Sequence, residues 1–340
     1  MPKESISEAG GAINEQGRSF GFDRRNARTV FWRMRNFRLV MLLAAAGSMA
    51  PVAQAGSNFR RVIYYYQTQY YNGTYVSLSP IWTTLNPTTN KPYVTDVMVA
   101  AFHLGYNNDG TPYIHLNDNP PGDPMFDTMW QEVATLQSYG VTVRMMLGGA
   151  AQGSYQDLFN NWDTFYPILQ QTLEQYQLNG IDLDVEENVT LANAEMLIDQ
   201  LAGDFGPQFR ITLSPVASAL WGGANLSGFS YGKLYAAEAS KIAWFNGQFY
   251  SGFATLSTTT DYEKIIQAGY PPYKIVGGMI SNPSDGGGFV PIGKVAQTVE
   301  TLTGEYPAFG GVADWEYFNA LPGNTGDPIE WAEIMARAMR

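Results

Sequence analysis

Three carboxylates alternate with apolar residues in the segment 179–186, at Asp182, Asp184 and Glu186. Side chains two residues apart in a β-strand point to the same face, so this spacing places the three acids together. Burying three neighbouring carboxylates is costly unless they share protons, form hydrogen bonds or take part in a reaction. An exposed strand with an acidic face is the alternative, but Gly180 and the amphipathic sequences on both sides favour a buried parallel strand.

The positions of these acids along the strand suggest different roles in proton transfer. Glu186 is nearest to the carboxyl end of the strand, where a cleft would open, and is therefore the candidate general acid. Asp184 lies about 6–7 Å away along the strand, where its charge would favour the protonated form of a neighbouring acid. Asp182 is deeper and can share a proton with Asp184. Glu187 points to the opposite face, so we do not expect it to act as a second catalytic carboxylate.

Eight short β-rich runs alternate with helical segments along the chain after residue 60. The β-rich runs are Val62–Tyr66, Val97–Phe102, Val141–Leu147, Ile181–Val185, Arg210–Leu213, Ile242–Phe249, Lys274–Val276 and Gly311–Trp315. Helical spacing of apolar residues is found in Phe126–Tyr139, Phe165–Leu178, Leu191–Phe205, Tyr262–Ala268, Ile292–Leu302 and from about Pro328 onwards.

This alternation predicts a single α/β domain, a closed (β/α)₈ TIM barrel that spans residues 56–340. A doubly wound open sheet is the alternative, although the first strand is not followed by a Gly-rich phosphate loop. In such a barrel the catalytic groups lie at the carboxyl ends of the strands. Glu186, at the end of the predicted fourth strand, is at such a position.

The N-terminal part of the chain has the pattern of a targeting sequence. Arg33, Arg35 and Arg38 precede the apolar run Leu39–Ala46, and an A-x-A cleavage site ends at Ala55. We therefore expect a signal peptide at 34–55 and a secreted, extracellular protein; a signal anchor is the alternative. Residues 1–33 are polar and fit poorly before a signal peptide, so they are either a mis-assigned start or a disordered extension.

The charge of the chain restricts its partners. Of twenty Lys and Arg and 31 Asp and Glu, eight and four lie in residues 1–55, which leaves twelve basic and 27 acidic residues and a net charge of −15. Such a surface disfavours nucleic acid and anionic membranes and suits a neutral or cationic substrate. We expect a monomer.

The chain has no cysteine and two histidines, His103 and His115. A secreted protein without disulfides must be stabilised by a large core, and zinc sites of the usual kinds are not expected. We predict neither a metal nor a cofactor. Sequons at Asn72, Asn188 and Asn225 allow N-glycosylation in a eukaryotic secretory route.

Four segments together resemble glycoside hydrolase family 18, the chitinase and endo-β-N-acetylglucosaminidase family. Asn179–Glu186 resembles its D-G-x-D-x-D-x-E signature, Met146–Gly149 its S-x-G-G, Gln248–Tyr250 its Q-x-Y and Gly310–Glu316 its G-G-V-x-x-W-E. The resemblance covers residues 61–335. Two positions depart from the pattern, because Asn179 stands where the family has Asp and Met146 where it has Ser. We expect these changes to affect local hydrogen bonding and not activity.

The resemblance implies a retaining reaction in which the substrate's own 2-acetamido oxygen attacks C1 and forms an oxazolinium ion. Glu186 would protonate the glycosidic oxygen, and Asp184 would hold the acetamido N–H and stabilise the positive charge. Gln248 and Tyr250 would bind the acetamido group; ordinary filling of the barrel is their alternative role. Trp315 would form the floor beneath the reacting sugar, or else pack in the core.

Further residues are expected around the same cleft. Asp182 would support Asp184 from below, and Gly148 and Gly149 would permit close backbone approach at the barrel mouth, or form a plain tight turn. Tyr66 and Phe102, from strands one and two, are predicted to line the cleft.

Several segments are most similar to secreted fungal endo-β-N-acetylglucosaminidases of the family, which cleave the chitobiose core of N-glycans. They are 115–118, 213–220, 226–231, 248–253 and 315–319. A chitinase that acts on chitin or chito-oligosaccharides would share every catalytic residue and is the alternative. A non-catalytic lectin on the same barrel is the alternative from another class, but a lectin would be expected to lack the acid at Glu186.

Overall fold

The computed structural model describes residues 60–340. The predicted signal peptide, its cleavage site and the extension at 1–33 lie outside the described residues. None of the helices within 60–340 has the length and apolar character needed to cross a bilayer.

Eight parallel strands form a closed barrel, as predicted. Each strand pairs with the next, and β1 pairs with both β2 and β8, which excludes the open sheet. The strands are β1 Arg61–Tyr66, β2 Asp96–Tyr106, β3 Thr142–Gly148, β4 Gly180–Asp184, β5 Arg210–Leu213, β6 Ile242–Gln248, β7 Ile275–Ile280 and β8 Gly311–Trp315. All eight predicted runs are therefore strands. Glu186 lies two residues beyond the end of β4.

Helices follow the strands on the outside of the barrel. The described helices are α1 Ser79–Thr83, α2 Asp127–Ser138, α3 Ser154–Asn160, α4 Trp162–Gln175, α5 Leu191–Phe205, α6 Ala217–Leu220, α7 Tyr231–Glu238, α8 Thr260–Gln267, α9 Ile292–Glu305 and α10 Ile329–Ala338. The long amphipathic helices were all predicted. The short α1, α3, α6 and α7 were not, because their one or two turns show too little apolar periodicity, whereas α8 is as short as α7 but strongly amphipathic.

The loops after β1 and β2 carry small antiparallel elements. Pro112–Leu116 extends the sheet by pairing with β2, and it places His115 directly opposite His103. Both histidines therefore lie on strands and not in loops. Two short hairpins pair Tyr70–Tyr71 with Thr74–Tyr75 and Leu85–Asn86 with Lys91–Pro92.

Buried side chains form two layers, one inside the barrel and one between the barrel and the helices. The inner layer consists of Ile63, Tyr65, Met98, Ala100, Ala101, Met146, Trp244, Val276 and Ala313. The outer layer is larger and contains the apolar faces of the helices. Because neighbouring residues of a strand alternate between the two layers, a shift of one position decides whether a side chain can reach the cleft.

Candidate active site

Asp182 lies inside the barrel, is fully buried, and accepts hydrogen bonds from four side chains. Its oxygens receive Tyr65 Oη at 2.8 Å, Thr212 Oγ1 at 2.5 Å and Asn246 Nδ2 at 3.0 Å, together with Ser214 Oγ. Burial raises the pKa of Asp182, although these hydrogen bonds oppose the shift. The carboxyl group is therefore held rigidly at the base of the site.

Asp184 lies above Asp182 on the same inward face of β4. Burial raises the pKa of Asp184 well above its usual range, and the charges of Glu186 and Asp182 add to the shift. Gln248 Nε2 donates to Asp184 Oδ1 and to Glu186 Oε1, both at 3.1 Å, and to the backbone oxygen of Ser214 at 2.9 Å. One amide group from β6 thus positions two acids from β4 and the loop that follows it.

Glu186 is half-buried, whereas Asp182 and Asp184 are buried. Its carboxylate is therefore the most exposed of the three. Gln152 Nε2 donates to the Glu186 backbone oxygen at 2.6 Å and fixes the chain that carries the acid.

A small pocket opens beside these acids at the carboxyl ends of the strands. Tyr250 is only partly buried there, and its hydroxyl has no hydrogen-bond partner among the described contacts. Burial and the charges of Asp184 and Glu186 raise the pKa of the Tyr250 phenol well above its usual range, so the group remains a donor. The lining residues are Tyr65, Asp184, Ser214, Asn246, Gln248, Tyr250, Gly278, Met279, Ala313, Asp314 and Trp315.

Trp315 is the partly exposed last residue of β8 and forms one wall of the pocket. Its ring centroid lies 5.7 Å from that of Tyr65, at an interplanar angle of 47°. An indole ring in this position offers an apolar surface to the C–H face of a sugar.

Gly148 and Gly149 have φ angles of +93° and +99°, which L side chains rarely adopt. A Cβ at Gly148 would lie 2.4 Å from the Asp184 backbone oxygen, and the Gly149 N–H donates to that oxygen at 2.9 Å. The close approach expected here is therefore between β3 and the backbone that carries Asp184. The glycines act on the site by positioning this carboxyl group.

Tyr66 and Phe102 do not reach the pocket, and the prediction that they line the cleft is wrong. Both side chains are fully buried in the outer layer, and the Tyr66 hydroxyl donates to the Val76 backbone oxygen at 2.6 Å. Three consecutive tyrosines in β1 gave no alternation from which to choose the inward one. That residue is Tyr65, which bonds to Asp182.

The other carboxylates near the site have structural partners. Glu187 Oε1 accepts the backbone N–H groups of Gly153 and Tyr155 at 3.0 and 2.9 Å, at the start of α3. Glu316 Oε2 accepts the N–H groups of Gln67 and Thr68 at 3.0 and 2.9 Å. These two acids hold loops in place and do not face the pocket.

Asp314 was not singled out from the sequence, although it lines the pocket. It is fully buried, accepts Ser281 Oγ at 2.9 Å, and has a pKa raised well above its usual range by burial. Other contributors that sequence reasoning missed are Tyr65, Thr212, Ser214 and Asn246. Their one signal is a position of inward parity on β1, β5 and β6 or directly after β5.

The two departures from the family pattern lie away from the pocket. Asn179 precedes β4, where its Oδ1 accepts the Val143 N–H at 2.9 Å. Met146 belongs to the apolar inner layer. Within residues 60–340, no three His, Cys, Asp or Glu side chains are grouped so that they could hold a metal ion.

Comparison with solved structures reveals two similar fungal glycosidases. A fungal endo-β-N-acetylglucosaminidase of glycosyl hydrolase family 18 is 41% identical, with a TM-score of 0.76 over 83% of this chain and 99% of that chain. The chitinase ChiC of Aspergillus fumigatus is 42% identical, with a TM-score of 0.72 over 83% of this chain and all of that chain. A family 18 chitinase of Chromobacterium violaceum, at 19% identity and a TM-score of 0.65, shares the fold.

Two curated fungal proteins match over shorter parts of their length. Endochitinase 37 of Trichoderma harzianum is 26% identical over an alignment of 138 residues, with coverage of 36% of this chain and 41% of that protein. Chitinase 1 of Rhizopus niveus is 24% identical over an alignment of 263 residues, with coverage of 67% of this chain and 49% of that protein. The chain thus spans less than half of each of these relatives. No family model matches the sequence.

A closed (β/α)₈ barrel with carboxylates at the end of its fourth strand, and these similarities, define a glycoside hydrolase. The chain belongs to glycoside hydrolase family 18, as its identity of 41% to a member of that family across the barrel shows. Nothing in the comparisons supports the alternative of a non-catalytic lectin.

Proposed function

We propose that this protein is a secreted, monomeric endo-β-N-acetylglucosaminidase whose catalytic barrel spans residues 56–340. It hydrolyses the β-1,4 bond between the two N-acetylglucosamine residues at the core of N-glycans. The main observation that supports this reaction is the pair of acids Asp184 and Glu186. Asp184 is buried, Glu186 is accessible, and the side-chain amide of Gln248 donates to both. The similarity to the fungal endo-β-N-acetylglucosaminidase supports the choice of substrate.

In this proposal Glu186 gives its proton to the glycosidic oxygen as the bond to C1 breaks. The oxygen of the substrate's 2-acetamido group attacks C1 from the other side and forms an oxazolinium ion. Water then opens this ion, after giving a proton back to Glu186, so that the anomeric configuration is retained.

Asp184 orients the acetamido group and stabilises the positive ring. Its raised pKa means that the free enzyme holds a proton here at a pH where an exposed aspartate is ionised. With Asp182 buried beneath it, the two groups share a proton, and the share on Asp184 decreases when the cationic ring forms. The free hydroxyl of Tyr250 and the amide of Gln248 complete the acetamido site, and Trp315 forms its floor.

The surrounding carboxylates support participation of the substrate. An ordinary retaining glycosidase needs a second carboxylate about 5–5.5 Å from the acid, free to attack C1. Glu187 and Glu316 are bound to backbone N–H groups, Asp182 accepts four donors, and Asp314 is fully buried. None of these four acids is available as a nucleophile.

A chitinase acting on chitin or chito-oligosaccharides is the second candidate, and the 42% identity to the Aspergillus chitinase favours it. The two activities use the same catalytic groups and differ in the loops that receive the rest of the sugar chain.

Incubation with a high-mannose glycoprotein and, separately, with chitin oligomers distinguishes the two candidates. We expect mass spectrometry to show glycosylated peptides reduced to a single N-acetylglucosamine on asparagine, together with the released glycan. The Glu186→Gln variant is the control and should produce neither product. Cleavage of chitin oligomers with the glycoprotein left intact would assign the enzyme as a chitinase instead.

A further inference from the structure

A cavity of about 830 Å³ opens at the amino ends of the barrel strands, the end opposite to Glu186. We call it the basal cavity. Arg61 and Arg210 begin β1 and β5 at its edge, and Asp96 is the one carboxylate among its described lining residues. Six cationic side chains line it: Arg60, Arg61, Arg144, Arg210, Lys241 and Lys274.

This concentration of positive charge is the reverse of the rest of the molecule. The chain has a net charge of −11, and eight of its twenty Lys and Arg precede residue 60. The described residues therefore contain twelve, of which the basal cavity gathers half. Like charges brought together in this way repel one another unless a counter-charge is present.

Some of the cations have partners within the protein. Arg144 Nη1 contacts Asp96 Oδ1 at 2.6 Å, and Lys241 Nζ contacts Glu238 Oε2 at 2.6 Å and also Asp199 Oδ1. Lys274 Nζ donates to two backbone carbonyl oxygens, which carry no charge. Three described carboxylates, Asp96, Asp199 and Glu238, thus contact two of the six cations, and the cations around the cavity outnumber these acids.

Packing of the barrel explains part of the arrangement. The guanidinium groups of Arg61 and Arg144 lie over the Trp244 ring, 3.9 and 4.5 Å from its centroid, and close the base of the barrel. Arg60 Nη1 donates instead to the backbone oxygen of Met339, and Arg210 takes no part in this packing. The exposed Arg210 has no side-chain hydrogen bond or ion pair in the described part of the chain.

Two buried nitrogens indicate that hydrogen-bonding capacity is left over. Arg144 is 2% exposed and its Nε has no partner, and the buried Nε of Arg60 has none either. Burial lowers the pKa of Arg61 to about 10, and the charges of Arg144 and Arg210 contribute to this shift. An unpaired buried donor is costly, so a bound acceptor would stabilise this end of the barrel.

We propose that the basal cavity binds an anion that carries two or more phosphate or sulfate groups. Planar guanidinium groups match the oxygens of phosphate and sulfate and bind them through paired hydrogen bonds. The volume exceeds the needs of a single such group, and several cations surround it. The neutral sugar substrate of the active site carries no anionic group that these cations would bind.

Titration calorimetry of the full chain with sodium tripolyphosphate and, separately, with a disulfated disaccharide tests this proposal. Both titrations are made at constant ionic strength, with sodium chloride as the reference. We expect saturable one-to-one binding of at least one of the two anions. Which of them binds shows whether the cavity selects phosphate or sulfate groups. Heats that do not differ from those of sodium chloride in either arm would overturn the proposal.

Substitutions locate the site. Arg210→Gln should weaken the anion about tenfold or more, since one charged hydrogen-bonding group is lost, and Arg210→Glu should abolish binding. Lys294→Gln, which removes an exposed charge outside the cavity, should leave the affinity within about twofold. Equal affinity in Arg210→Glu and the wild type, or equal losses in Arg210→Gln and Lys294→Gln, would refute the site. Hydrolysis should be unchanged in Arg210→Gln, because the cavity and Glu186 lie at opposite ends of the barrel.

Discussion

Asp184 and Glu186 accept hydrogen bonds from the same nitrogen, Gln248 Nε2, at 3.1 Å each. The shared donor fixes the position of the accessible acid relative to the buried one, and it does so from a strand on the other side of β5. The arrangement makes Gln248 a positioning residue for both acids, in addition to its proposed contact with the substrate.

Gln248→Leu should therefore lower kcat strongly, because both acids lose their common donor. We expect kcat/KM to decrease by about 10²-fold, within the range seen when a positioned catalytic group is disturbed. Steady-state kinetics on a chitobiose-core substrate provides the measurement. Gln297→Leu on the exposed face of α9 is the control and should be neutral. Turnover of Gln248→Leu equal to that of the control would show that the bridge has no role.

Asp184→Asn should make stability less sensitive to pH. The folded pKa of Asp184 is raised, so its contribution is fully present below the unfolded value of about 3.9 and is lost as the pH rises towards the folded value. The variant should therefore gain stability relative to the wild type between about pH 4 and pH 7. Thermal unfolding midpoints of the variant and the wild type, measured at about pH 4 and about pH 7, should show this relative gain as about 2–4 °C or more. A relative gain that shrinks as the pH rises would contradict the assignment.

Gly148→Ala should destabilise the barrel by about 2–5 kcal/mol, since its φ is positive and its Cβ would overlap the Asp184 backbone oxygen. Gly203→Ala is the matched control, because Gly203 lies in α5 with open space around it and should gain about 0.4–1 kcal/mol. Urea unfolding measures both variants. A Gly148→Ala protein as stable as the wild type would show that β3 and β4 can separate freely.

The sequence was sufficient to predict the barrel and the row of acids, because strand–helix alternation and period-two spacing are local signals. It could not place Tyr66 and Phe102, since a strand buried on both faces is apolar at every position and its parity is decided by packing. The four donors around Asp182 come from β1, β5, the residue after β5, and β6. Only the closed barrel brings these four side chains together, so no local sequence pattern predicts them.

Processing at the A-x-A site can be checked on secreted protein. N-terminal sequencing should give a chain that begins at or near Gly56, because small residues at Ala53 and Ala55 suit signal peptidase. A secreted form that retains residues 1–33 would contradict both the start at Met34 and the cleavage site.

In the proposed mechanism, the 2-acetamido group of the substrate is the nucleophile beside Asp184 and Glu186. The most direct measurement compares hydrolysis of a chitobiose-core substrate with that of the same substrate carrying a 2-hydroxyl group at the reacting sugar. This mechanism predicts cleavage of the first substrate and no detectable cleavage of the second, with a thiazoline analogue acting as an inhibitor. Comparable turnover of both substrates, with a glycosyl ester trapped on any Asp or Glu of the chain, would contradict it.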